Sequence, residues 1–452
     1  MQIVSWHAPC PTRGGFGVQP PKSEYGRILR GSFRAVSRAI PTGAKALAMS
    51  QPDTLPPASE PPAALRWEAT VPFEGGQVCV VSQADLERCE AWREAFAGQC
   101  KDHRYYKLVA ETLTAGFTYR YLVLEDQHGR VQAIQPCFFV EQDLLAGMPA
   151  CVRSLVRGLR RACPRFLVMR MLMVGCTAGE AHLHPTPDAD VGWVGRALHA
   201  ALTGYARRAG VSLVVLKDFP AQYRDALADF SRYGYVRVPS MPMTCLSLEY
   251  TGFDDYMQRA LSGSMRKNLR RKFKRAARAA PLQLEVLRDI SPYVDEVYPL
   301  YLAVFERSTL KFARLTKEYL CRVGQEMPDR ARFFVWRQSG RIIAFSLCLV
   351  HGDAIYDEYL GMDYRMAFDL HLYFYTFRGI IDWAIAHGLK RYYSAPLGYD
   401  PKLHLGCTLA PLDLYVAHTS PVLNPFFRQV VRLVQPTRYD RVLRRFPNAH
   451  EL

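Results

Sequence analysis

Acidic residues are in short supply along this chain. Its 452 residues hold 42 Asp and Glu against 58 Lys and Arg, a formal net charge of +16. Such an imbalance predicts attraction to phosphate-rich or anionic partners and says nothing about fold. Long apolar runs are also missing. The stretch Phe166 to Cys176 is interrupted by Arg170 and falls short of the roughly 20 residues a membrane span needs. No secretory h-region opens the sequence. No two of the 12 cysteines stand in CxxC spacing, which argues against a zinc site and fits a reduced, cytosolic compartment. There is no P-loop, no HExxH and no ordered Ser-His-Asp set, so hydrolase and kinase readings have no support.

What is present is enough apolar material for two or three domains, since 49% of the residues are hydrophobic. Residues 1–65 stand apart as an aperiodic leader rich in Pro, Gly and Arg, with only Glu24, Asp53 and Glu60 as acids. That composition predicts disorder. It fits an organelle transit peptide or, better, a chain that properly starts at Met49.

Beyond residue 66 strands and helices alternate. Tyr119–Glu125 and Val131–Val140 flank the turn Gln127–Arg130 and predict a hairpin; Arg165–Cys176 predicts a strand. A helix over Val191–Ala209 ends at Gly210 and precedes a strand at Val211–Leu216. A helix over Tyr223–Tyr233 and a strand at Met243–Leu248 follow. The order then repeats: a hairpin from Arg332–Gln338 and Ile342–Val350, a strand Ala354–Gly361, a helix Asp369–His387 closed by Gly388, and a strand Lys390–Ala395. The correspondence predicts an internal duplication of one α/β unit, with mixed sheets and any ligand site at the carboxyl ends of central strands. The predicted division is 66–250, 251–420 and a basic helical tail at 421–452.

One segment concentrates charge. Ser262–Arg278 carries eight cations and no acid before Glu285, while Met265, Leu269, Phe273 and Ala276 recur at helical spacing. Ser262 or Ser264 caps the start and Pro281 stops it. A cationic face opposite an apolar stripe attracts tRNA, an acyl-carrier nucleotide or acidic lipid, and equally suits a solvated helix packed on a domain. The tail helix Asn424–Val434 gathers Phe427, Val430, Val431 and Val434 on one face, suited to covering a sheet or touching a membrane.

The run Leu261–Lys272 resembles the basic helix before the C-terminal module of Fem-like acyltransferases in the GNAT superfamily. Phe333–Trp336 with Gly340–Phe345, Asp357–Asp363 and Tyr399–Cys407 are similar to that family's successive strands and its closing Lys-x-x-x-Gly turn. The resemblance covers about 250 to 416 and continues, through order of elements, into 66–250. It implies an α/β fold of tandem GNAT-like modules and transfer of an acyl or aminoacyl group to an amine. Acyl-CoA is then a co-substrate rather than a resident cofactor. Two family features are absent: the Gly-rich pyrophosphate loop is not found between Gly361 and Asp369, and no long helical arm fits between Leu261 and Pro281.

Amine acylation requires a base, an oxyanion cradle and a leaving-group partner. Glu358 is the candidate base, with alternation placing Asp357 and Tyr359 on the opposite face. His371, expected in the first turn of a helix that Asp369 caps, is a second candidate base. Arg365 and Ser394 are candidate donor contacts. Lys402 is a candidate for phosphate or leaving-group neutralisation, and Tyr399 for protonating a thiolate. Lys217 and Asp218 end the corresponding strand of the first half, an arrangement that suggests one module has become structural. The expectation is a cytoplasmic N-acyltransferase, free or peripheral to the inner membrane, acting on an amine-bearing small molecule or cell-wall precursor. The alternatives are a tRNA-dependent aminoacyl transferase acting on a cell-wall precursor and a non-catalytic GNAT pair that binds nucleic acid or acidic lipid.

Overall fold

In chain order the elements are β1 (Ala69–Phe73), β2 (Gly76–Val81), α1 (His103–Thr112), β3 (Phe117–Asp126), β4 (Val131–Asp143), β5 (Val168–Val174), α2 (Val191–Arg208), β6 (Leu213–Pro220), β7 (Val236–Pro239), β8 (Met243–Ser247), α3 (Phe253–Ala260) and α4 (Gly263–Ala276). They continue with β9 (Leu282–Leu287), α5 (Val294–Arg307), α6 (Lys317–Glu326), β10 (Ala331–Gln338), β11 (Arg341–His351), β12 (Ala354–Met362), α7 (Leu372–Ala386), β13 (Arg391–Ser394), α8 (Tyr399–His404), β14 (Thr408–Ala410), β15 (Leu412–His418) and α9 (Asn424–Leu433). The computed structural model describes residues 67–143, 158, 160–161, 168–278, 281–308, 311–433 and 435–452. The expected leader, the start of the Arg165 strand and Val434 lie outside them.

The strands form two mixed sheets. The first has the order β1-β2-β3-β4-β5-β6-β15-β7 and the second β14-β8-β13-β12-β11-β10-β9. Each contains one parallel pair, β5 with β6 and β12 with β13. Read from β9, the second sheet repeats the first from β2 onward: three antiparallel neighbours, a parallel pair, then two antiparallel strands. The two hairpin turns place Gly129 and Gly340 at φ +75° and +78°, and the two helix ends place Gly210 and Gly388 at φ +64° and +74°. A Cβ disfavours that region, so glycine at these four points makes the repeat legible in sequence.

The sheets do not divide at 250/251. β8, on the first side of that line, pairs with β13 and β14 of the second sheet. β15, from the second half, lies between β6 and β7 of the first. Each half therefore gives its last strand to the other, at the same place in the order. Asp413 of β15 is 1% exposed and takes Arg224 Nε and Arg237 Nη1, each at 2.6 Å, which locks the donated strand in place.

The three largest apolar clusters among the described residues follow from this arrangement. One lies between the sheets and holds residues of α1, α5 and α6 with the facing sides of β2, β3, β10 and β11. A second joins α2 to the far face of the first sheet, and a third joins α3, α4 and α7 to the far face of the second. The predicted basic helix forms as α4: Ser262 accepts from Met265 N–H, Met265, Leu269 and Ala276 are buried, and the cations are exposed except Arg266 and Lys272, which are half-buried. Two expected helices differ. In place of Tyr223–Tyr233 there is a 3-10 turn at Ala221–Tyr223 and one short helix at Ala228–Arg232. The helix expected from Asp369 begins at Leu372, because a turn at Tyr364–Ala367 carries the chain on until Leu370 N–H reaches Met366 O.

Candidate active site

The parallel strands β12 and β13 run in register from Ala354↔Arg391 to Asp357↔Ser394. One more bond follows, from Ala395 N–H to Asp357 O at 3.1 Å, and the strands then part. β12 continues to Met362, paired along that stretch with β11. Among the described residues no backbone hydrogen bond joins Glu358–Met362 to β13 or to the loop after it. That loop turns sharply, with Leu397 at φ +77° and Gly398 at φ +64°. A leucine in the left-handed region is strained by about 1–3 kcal/mol, the kind of outlier that collects at functional sites. The parting leaves a V with bare strand edge on one side, at the carboxyl ends of two central parallel strands.

The corresponding place in the first sheet is filled. After Val174↔Leu216 the chain folds back through Gly175, whose N–H bonds Pro136 O, and Ala181 N–H takes Asp218 O at 3.0 Å. A Cβ on Gly175 would stand 2.7 Å from Ala181 Cβ and 2.9 Å from Lys217 O. Lys217 and Asp218 pair with each other at 2.5 Å beside this plug.

The register of β12 against β11 skips Glu358: Cys348 faces Asp357 and Leu347 faces Tyr359. This bulge breaks the expected alternation. Asp357 turns to the α7 side and accepts from Ser346 Oγ and from Tyr392 OH at 2.8 Å. Tyr359 instead packs on the cluster between the sheets, edge-on to Tyr319. Glu358 joins that side too. Its Oε1 accepts from Lys101 Nζ at 2.7 Å, and the same ammonium reaches Glu180 Oε2 at 2.6 Å. Lys101 is 1% exposed, in the segment before α1, and neither carboxylate is open.

Two carboxylates around one ammonium leave an excess negative charge in an apolar setting. Burial pushes the Lys101 ammonium down, but Glu180 and Glu358 more than offset this and hold it well above its ordinary value. Burial also works against Glu180, yet Lys101 and the His182 ring, 3.7 Å away, bring its carboxyl below the usual range. Glu358 lacks that second partner. Burial and the neighbouring Glu180 charge outweigh Lys101 and raise it to about 7. Among the described residues Oε1 alone is hydrogen-bonded, so Oε2 keeps a lone pair for a proton at neutral pH.

The remaining sequence candidates fall into separate places. Lys402 is buried, donates to Ala395 O and is lowered to about 8 by desolvation, which Cys407 and Asp357 partly counter. It lies on the Asp357 side of β12, so the structure does not bring Lys402 and Glu358 together. Ser394 is the buried last partner in β13. Tyr399 is a strut: its hydroxyl donates to Pro242 O at 2.8 Å, just before β8, and burial pushes its pKa up. His371 stands at the cap position of α7 rather than in its first turn, at φ +52°. Partial burial and the nearby Lys272, Arg275 and Arg271 charges lower its pKa. Asp369 is no cap; it pairs with Arg275 at 3.1 Å. Arg365 is held by Asp363 through two bonds of 3.0 and 2.8 Å, on the wall of a 380 Å³ cavity that Pro299 and Met362 also line.

Sequence reasoning passed over Lys101, Glu180 and the Asp357 environment. Asp357 carried a signal, as an acid inside an apolar strand. Lys101 carried none, because its partners lie 79 and 257 residues away.

Comparison with known proteins adds a family. No curated protein sequence matches the chain. Among solved structures it is similar to the C-terminal domain of a putative lysylphosphatidylglycerol synthetase from Agrobacterium fabrum (13% identity over 76% of this chain and 95% of that one, TM-score 0.43). It is also similar to FemX (11%, 73% and 93%, 0.45) and to a tandem GNAT protein from the clavulanic acid biosynthesis pathway (13%, 76% and 98%, 0.43). Residues 263–400 match the family model of the acetyltransferase (GNAT) domain. That stretch contains the basic helix, the bulge and both strands of the V, and this part of the chain is a GNAT acetyltransferase domain.

Proposed function

We propose that the chain is an N-acyltransferase that moves an acyl group from acyl-CoA, the usual co-substrate of GNAT domains, to an amine acceptor. The reading rests above all on one observation: β12 and β13 part after Asp357↔Ser394, while the equivalent opening of the first sheet is plugged. The activated carbonyl lies along the bare edge of β12, where N–H groups unclaimed by β13 offset the oxyanion of the tetrahedral intermediate. Glu358 Oε2 takes the proton that the attacking amine sheds; a carboxylate poised near 7 suits that task. Lys101 and Glu180 hold the Glu358 side chain in place. Lys402, across the strand, adds positive charge near the leaving group. The first module serves as scaffold and as donor of Lys101.

The exposed cations of α4 favour a second donor. Lys267, Arg270 and Lys274 make no ion pair among the described residues, a surface that suits the backbone of an aminoacyl-tRNA. Native mass spectrometry against acyl-CoAs of graded chain length separates the two. Binding of an acyl-CoA, with activity indifferent to ribonuclease, supports the first reading. Ribonuclease-sensitive activity without CoA binding replaces it with the second.

A further inference from the structure

Lys402 holds a carbonyl that the second sheet would otherwise claim. Ala395 makes the last rung to β12 through its N–H, which bonds Asp357 O. It precedes Pro396, and a residue before proline is biased to extended backbone. There the N–H and C=O of one residue point to the same side, so Ala395 O also faces β12. In an unbroken parallel ladder that oxygen accepts the next N–H of β12. Among the described residues no backbone N–H reaches it. Lys402 Nζ donates to it instead.

The fold is arranged to bring this lysine back. Leu397 and Gly398, at φ +77° and +64°, turn the chain into α8. That helix is pinned by Tyr399 OH on Pro242 O at 2.8 Å, by Tyr256 OH on Leu405 O at 2.5 Å and by Cys407 N–H on Lys402 O at 3.1 Å. Lys402 is 5% exposed, and the bond to Ala395 O is its one side-chain hydrogen bond among the described residues. Asp357 steadies the ammonium only from a distance. A buried ammonium without a paired carboxylate is costly, and packing alone does not require one. A buried carbonyl does require a donor. When a side chain supplies it, the N–H groups of β12 stay free. In the first sheet the residue at the same step is Lys217, and its carbonyl lies against the plug, 2.9 Å from where a Cβ on Gly175 would stand.

We propose that Lys402 is a positioning residue that keeps β12 and β13 apart: by occupying Ala395 O it stops the next N–H of β12 from closing the V. This role is distinct from the charge it lends the leaving group, and its link to the donor rests on the acyltransferase reading. Lys402→Met keeps most of the volume and removes the donor. In the full chain, amide hydrogen exchange of the Glu358–Met362 segment is expected to slow about tenfold or more in this variant, as β12 gains an acceptor. Acetyl-CoA is expected to bind about tenfold or more weakly by titration calorimetry. Lys402→Arg retains a donor on a long stem and is expected to return both values to within about threefold of the unaltered chain. Unchanged exchange of that segment in Lys402→Met overturns the inference. So does faster exchange there and in remote segments alike, the mark of a general loss of stability. A fall in turnover with exchange and acetyl-CoA affinity unchanged overturns it too, confining Lys402 to the leaving group. The exchange measurement tests the wedge whether or not the chain transfers acyl groups; failure of the unaltered chain to bind acetyl-CoA counts against the donor assignment alone.

Discussion

Replacing Lys101 by methionine removes one charge and little volume, and the structure sets the size of the effect. Its ammonium sits 2.6 and 2.7 Å from two buried carboxylate oxygens. At an effective dielectric near 20 each contact is worth about 6 kcal/mol of gross attraction, and desolvation of three ions consumes much of it. Breaking a buried pair by deleting one partner destabilises proteins by about 3–5 kcal/mol, because the surviving charge stays buried. Here two carboxylates survive, so Lys101→Met is expected to lose at least that much near neutral pH. Protonation relieves the loss. Without the ammonium both carboxyls rise above their unfolded values, so the folded state binds more protons than the unfolded one and its stability falls as pH rises. Each proton retained is worth about 1.4 kcal/mol per pH unit, and the deficit is expected to grow by about 1–3 kcal/mol between pH ~5.5 and pH ~8. Urea unfolding of both proteins at the two pH values measures this, with similar m-values showing that the same surface is exposed. Adding Glu358→Gln to Lys101→Met is expected to restore about 1–3 kcal/mol at pH ~8 by removing one stranded charge. A deficit under about 1 kcal/mol at pH ~8, or one that does not change with pH, refutes the buried triad as drawn.

Two further outcomes follow from the site. Once the acceptor is in hand, kcat/KM is expected to rise with pH through about 7, where Glu358 loses its proton; Glu358→Gln is expected to abolish that limb and lower the rate by about 10²–10⁴, and Lys101→Met to move it upward, both read from pH–rate profiles. Gly175→Ala places a Cβ against Lys217 O at a φ of +129° and is expected to cost about 2–4 kcal/mol in thermal or urea unfolding, confirming that the opening of the first sheet is closed by the chain itself.

The parts legible in sequence are those set by neighbours along the chain. Both hairpins, the two helix-Gly-strand units and the amphipathic α4 depend on local periodicity and on glycines at positive φ, so the duplicated α/β plan could be read directly. The start of α7 could not, since Asp369 has the chemistry of a cap but is drawn away by Arg275. The bulge at Glu358 left no local mark either, and it is what turns Tyr359 and Asp357 to different faces. For the candidate site, residue type and place in the sequence single out Glu358 and Lys402 as candidates. Their separation across β12, and the partners of Glu358 from the first half, depend on pairing across long stretches of chain that no window of residues contains.

Strand exchange also decides how the molecule comes apart. β15 cannot leave the first sheet without carrying Asp413 away from Arg224 and Arg237 and exposing the edges of β6 and β7; β8 stands in the same structural relation to β13 and β14. Each sheet is complete only when the other half is folded, and the cluster between the sheets belongs to both. Two independent domains would melt in two steps, whereas this topology couples them into one. A single calorimetric transition is expected, and Asp413→Asn, which weakens the charged hydrogen bonds to two partly solvated arginines, is expected to lower the whole transition by about 1–3 kcal/mol rather than split it. Two resolved transitions, with Asp413→Asn moving only the first, would show that the exchanged strands are ornaments on separable domains. The coupling matters for chemistry because Lys101 comes from one half and Glu358 from the other: a carboxylate tuned by an ammonium 257 residues away keeps its pKa only if the halves cannot drift, and reciprocal exchange of a strand is what prevents it.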